Sequence, residues 1–90
     1  MRTDRAKEIA LQALDWLIAN PETLAGFMAA TGLDAADLRQ LLANPDLPAA
    51  ALDHVLADDR SVLAFAAAAD LKPEEPGMAS QVLAGTVHWT

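Results

Sequence analysis

Shifted by 38 residues, the chain lies over its own pattern. Ala13-Leu14-Asp15, Ala19, Phe27, Ala29-Ala30 and Leu33 fall on Ala51-Leu52-Asp53, Ala57, Phe65, Ala67-Ala68 and Leu71. Trp16 falls on His54, and Asn20/Asp58, Thr23/Ser61 and Leu24/Val62 are conservative pairs. Alanine supplies 21 of the 90 residues and inflates any such match, but the Phe, the Leu pairs and the capping residues owe nothing to alanine. Each copy reads as a helix, a capped corner, a second helix carrying one Phe, and a Leu beyond its end. Two short helices cannot bury both of their apolar stripes alone, so the copies must pack on each other. The expectation is a single all-α domain over residues 1–90, a compact bundle of five to six short helices built as two pseudo-repeated hairpins. The hairpins take about 4–43 and 48–84, leaving 86–90 as a tail, with Phe27 and Phe65 in matching core positions.

Punctuation divides the helices. Ile9, Ala10, Ala13, Leu14, Leu17 and Ile18 recur at threes and fours, predicting one helix over 4–19 with Thr3 or Asp4 as its cap. Asn20-Pro21 ends it and starts the next, because proline disfavours a helical residue before it yet suits a first helical position. Leu24, Phe27 and Met28 form the second inner face; Gly32 stops that helix, with Leu33 folding back as the apolar contact. Asp34 and Asp37 have the spacing of a capping pair before Leu38, Leu41 and Leu42. A fourth helix from about Pro48 to Ala57 buries Leu52, Val55 and Leu56, and Asp58 caps a fifth carrying Val62, Leu63, Phe65 and Ala66. Pro76 and Gly77 weaken the start of a sixth, which is placed at Met78–Ala84 and closed by Gly85. No β-branched run alternates, so no strand is expected.

Composition narrows function. With no Cys there is neither a disulfide nor a thiolate metal site, and stability must come from packing. Six bases against 13 acids give a charge of −7 and a pI near 4.4. That balance argues against nucleic acid, whose binding depends on Lys and Arg displacing counterions. Glu8 and Asp15 interrupt the first apolar segment, and the uncharged stretch 76–90 is too short and polar to cross a bilayer. A cytoplasmic setting is expected, with no membrane contact.

Few residues offer chemistry. Phe27–Leu42 has the outline of a helix-turn-helix, the alternative DNA-binding reading, in which only Arg39 and Gln40 could read bases while Asp34 and Asp37 would repel phosphates. Ser61 matches Thr23 across the offset, which implies capping rather than nucleophilic attack. His54 with Asp58 would be two metal ligands without a third. The stretch Asp59-Arg60-Ser61-Val62 departs from the Asp-Ser-Leu of acyl carriers by the Arg before its Ser. No enzyme activity, cofactor, metal or small-molecule substrate is expected.

Protein binding is the function these residues fit best, with an unknown protein or a second copy as partner. Residues 1–45 carry four bases and six acids, whereas 46–90 carry two bases and seven acids, so the second half is the more acidic. Trp89, the penultimate residue, is expected over the core or at an interface. Trp16, Asp58, Asp59, Val87 and Trp89 are the candidate contact residues. Asp15 and Asp53 both fall late in a helix, where a carboxylate is unfavourable. Each is expected to accept hydrogen bonds from a neighbouring helix start or to pair with an Arg.

Ala13-Leu14-x-Trp16-Leu17, Leu24-x-x-Phe27-x-x-x-Thr31-Gly32-Leu33, Asp37-Leu38-Arg39 and Val55-Leu56-x-x-Asp59-x-x-Val62-Leu63-Ala64-Phe65 together resemble a family of short bacterial proteins, mainly alphaproteobacterial, known only as a domain of unknown function. The resemblance runs from Ala10 to about Leu83. Its motifs are packing and capping positions; it implies an all-helical fold and a bacterial setting, and brings no catalytic residue, cofactor or substrate. Leu47-Pro48 departs from the family's usual middle turn.

Overall fold

The first helix organises the rest. In the computed structural model, which describes residues 1–32, 34, 36, 37 and 47–88 with side chains to residue 84, α1 spans Thr3–Ala19. Then come α2 (Pro21–Thr31), α3 (Leu47–Leu56), α4 (Asp59–Ala68) and α5 (Glu75–His88), with no strand among the described residues. Helix α1 packs most extensively on α3 and α5, and each pair α1/α2 and α3/α4 forms a hairpin. Small side chains permit this: Ala6, Ala10 and Ala13 on α1, Ala51 on α3 and Ala79 on α5 are all at most 1% exposed. Around them Ile9, Leu14, Leu17, Phe27, Leu47, Leu52, Val55 and Phe65 complete one core.

Matching features recur 38 residues apart. Helix α2 begins at Pro21 and α4 at Asp59, each directly after the residue in the N-cap position, Asn20 or Asp58. Phe27 and Phe65 are both fully buried. Their aromatic neighbours are exchanged: Phe65 lies 6.0 Å from Trp16, and Phe27 lies edge-on to His54 at 5.3 Å. Each ring therefore meets a side chain of the other hairpin, and Trp16 and His54 are themselves 38 positions apart. The backbone follows suit. Only Gly32 and Asp70 among the described residues have positive φ, 73° and 57°.

Gly32 is the C-cap of α2, whereas Asp70 follows Ala69, the C-cap of α4. Gly32 donates its N–H to the Met28 carbonyl, and beyond Asp70 the Leu71 N–H returns to the Ala66 carbonyl at 2.8 Å, seating the partly buried Leu71 against the core. The left-handed conformation costs a side-chain-bearing residue about 1 kcal/mol and glycine almost nothing. Opposite signs are therefore expected from two substitutions. Gly32→Ala, whose new methyl meets no atom within 4 Å, loses about 1 kcal/mol through backbone strain alone. Asp70→Gly gains up to about 0.5 kcal/mol after the extra freedom of the unfolded glycine is subtracted. Urea denaturation of the two variants measures both.

Several local expectations need correction. Arg2, not Thr3 or Asp4, holds the N-cap position of α1, its carbonyl accepting the Ala6 N–H at 3.0 Å; Asp4 sits in the first turn, where helix partial charge favours it. Asn20 holds the N-cap position of α2 without a side-chain cap bond; its Nδ2 donates backwards instead, to the Trp16 carbonyl at 2.6 Å. Ile18 and Leu63 are exposed rather than in the core, because the buried stripes of α1 and α4 are narrower than the runs of apolar letters. Helix α5 starts at Glu75, ahead of Met78, and continues through Gly85 to His88, so residues 86–88 are its last turn rather than a tail. Pro76 lies in the first turn, where no N–H is required, and is fully buried. A helical glycine costs only about 1 kcal/mol, which packing of α5 on α1 outweighs.

Candidate functional site

Ser61, Ser80 and His54 each have a packing or hydrogen-bonding role. Ser61 Oγ donates to Asp58 Oδ2 at 3.1 Å at the start of α4, which accounts for both residues as an N-terminal corner. The His54 ring is half-buried against Phe27, and its Nε2 lies 3.8 Å from where a side chain on Gly26 would begin, an ordinary van der Waals distance. Among the described residues no three His, Asp or Glu side chains are grouped as a metal ion would need. Asp34 and Asp37 do form the reciprocal capping pair, the Asp37 N–H donating to Asp34 Oδ1 at 2.9 Å and the Asp34 N–H to Asp37 Oδ2 at 3.3 Å. Leu33, Leu38, Arg39, Gln40, Leu41, Leu42 and Trp89 lie outside the described residues, and with them the base-reading helix and the terminal indole. Of the other contact candidates, Asp58 and Asp59 are exposed at the α4 corner, Val87 belongs to the last turn of α5, and Trp16 is half-buried on Phe65.

The two recurring aspartates differ. Asp53 Oδ1 accepts the Ser80 hydroxyl at 3.0 Å, a bond between α3 and α5 spanning 27 residues of chain. Asp15 is exposed and has no hydrogen-bond or ion-pair partner among the described residues. It lines instead an open cleft of about 350 Å³ with Gln12, Trp16, Ala68 and Ala69. Gln12 Oε1 is buried and has no hydrogen-bond partner among the described residues. Beside the cleft α1 presents Leu11, 53% exposed, and Ile18, 39% exposed. Seven residues apart, they share one side of the helix, and Asp15 is four residues from the first and three from the second.

A family model described as "Protein of unknown function (DUF3572)" matches residues 3–86. The chain belongs to this family. The match covers every described helix except the final residues of α5, so DUF3572 membership and the all-helical architecture concern the same stretch of chain. No curated protein and no solved structure matches the chain. No helix among the described residues is long and apolar enough to cross a membrane. Sequence reasoning singled out Trp16 and Asp15 separately but missed Gln12 and the α4 terminus, because their convergence depends on how α4 lies against α1.

Proposed function

We propose that this DUF3572 protein is a non-catalytic protein-interaction module that works in the cytoplasm and uses the outer face of α1. The observation that carries the reading is the exposed Leu11–Ile18 pair, set on the most securely packed helix and bracketing a carboxylate with no partner among the described residues. An apolar pair of this kind gains by being covered, and a rigid helix presents it without the entropy loss of ordering a loop. The net charge of −7 favours a basic partner. The occupied roles of His54, Ser61 and Ser80 support a binding rather than a chemical role. Reciprocal Trp16–Phe65 and His54–Phe27 pairing supports a duplicated hairpin with local two-fold symmetry as the scaffold.

Photocrosslinking in cells tests the proposal. A benzophenone side chain at position 11 should give one discrete adduct, whose mass identifies another protein or a second copy. Ile18→Glu should abolish it. Diffuse adducts, or an adduct indifferent to Ile18→Glu, would show that α1 has no dedicated partner.

A further inference from the structure

We infer that the cleft between α1 and the end of α4 is a receptor for an arginine side chain of the partner protein. The inference rests on the interaction reading above and names the chemistry its partner must bring. Four features of the cleft point the same way. Asp15 supplies a full negative charge with no partner among the described residues. Ala68 and Ala69 form the C-terminal end of α4, where the helix dipole is negative, and the last turn of α4 holds no basic residue to neutralise it. Trp16 supplies an aromatic wall, half-buried and held at a 56° tilt by Phe65, and an indole face attracts a cation. Gln12 Oε1 is a buried acceptor with no donor among the described residues, a deficit that native proteins rarely leave unmet.

A carboxylate, a helix C-terminus, an indole and an unfilled amide acceptor all favour a flat cation with several N–H donors. Guanidinium is that group: one edge can pair with a carboxylate, its face can stack on an indole, and a further N–H remains for Gln12 once a small rotation brings the oxygen to the cleft. The matched position sharpens the argument. Asp53, 38 residues on, already receives a donor from within the chain, the Ser80 hydroxyl on α5. Among the described residues Asp15 has no such donor, so its carboxylate is open to one brought from outside the chain. The donor comes from a protein rather than a free small cation because Leu11 and Ile18 flank Asp15 on α1. A partner covering that apolar pair carries its arginine to the cleft.

The test is an NMR titration of the full chain with arginine blocked at both ends, and with blocked citrulline, which has the same shape without the charge. Blocked arginine should move the Trp16 indole N–H and the Gln12 side-chain amide signals saturably, and citrulline should bind at least tenfold more weakly. Asp15→Asn should weaken arginine binding at least fivefold, whereas Asp53→Asn, which removes the same charge elsewhere, should leave it unchanged. Because Asp15 is exposed, the variant keeps its fold, which an unchanged spectrum elsewhere verifies. Absence of saturable shifts at Trp16 and Gln12, equal binding of citrulline, or equal losses in the two Asp variants would each overturn the assignment. A discrete crosslink at position 11 without arginine binding would refute this site alone. Arginine binding without a crosslink would keep the site and refute the interaction reading.

Discussion

Phe65→Ala is expected to lower the unfolding free energy by about 3–5 kcal/mol, read as a fall in the urea midpoint with the slope unchanged. The ring is wholly buried where α4 meets Trp16 of α1, and its removal leaves a cavity that short helices tied by Asn20-Pro21 and Asp58 cannot readily close. Against a total stability of about 5–15 kcal/mol, such a loss leaves the domain partly unfolded at moderate temperature. Phe27→Ala should cost a similar amount, since its ring is 1% exposed and is bordered by His54 in the same exchanged arrangement. The contrast is Leu63→Ala, two positions before Phe65 on the opposite side of α4 and 58% exposed, which should change stability by at most about 0.5 kcal/mol. A double-mutant cycle of Trp16→Ala with Phe65→Ala should give a coupling of about 0.5–1.5 kcal/mol, as expected for tilted aromatic pairs. A loss below about 1 kcal/mol for either Phe would mean that the core is not organised around the two rings.

The helix boundaries that were legible before the structure are those set by local chemistry. Asn20-Pro21 and Gly32 act on the backbone within one turn of themselves, so their effects can be read from neighbouring letters; Asp58 holds the N-cap position of α4, but its carboxylate accepts the Ser61 hydroxyl rather than a backbone N–H. The family resemblance drawn from packing and capping motifs also holds, since those motifs are what the matched stretch contains. Features decided at long range were not legible. Nothing near Asp53 announces that Ser80 will reach it, because the bond depends on where α5 crosses α3. Likewise Gly77 and Gly85 have the residue type of a breaker, yet packing of α5 on α1 carries the helix past both. The cleft at Asp15 belongs to the same class. Its walls come from two helices that are not adjacent in the chain, and its distinguishing property, an unpaired amide oxygen, exists only once the helices are packed.

Ala13→Leu is the second substitution with a large expected effect, a loss of about 1–3 kcal/mol although the replacement is more hydrophobic and a good helix former. Ala13 has no exposed surface, and with Ala6 and Ala10 it forms the small-residue face that lets α1 lie close to its neighbours. A larger side chain there has no vacant space to enter, so it must push a helix away or adopt a strained rotamer. Ala19→Leu is the matched control. It adds the same atoms to the same helix at an exposed position and should shift stability by no more than about 0.5 kcal/mol. The comparison separates close packing from added apolar bulk, since exchanging Ala for Leu changes helix propensity by only about a few tenths of a kcal/mol. Ala51→Leu, 38 residues on and equally buried, should behave as Ala13→Leu does. Displacing α1 also moves Trp16 relative to Phe65, so Ala13→Leu should shift the Trp16 indole signal, whereas Ala19→Leu leaves it in place. A neutral Ala13→Leu with an unmoved indole would show that α1 is loosely seated, and the cleft beside it could not then be a preformed receptor.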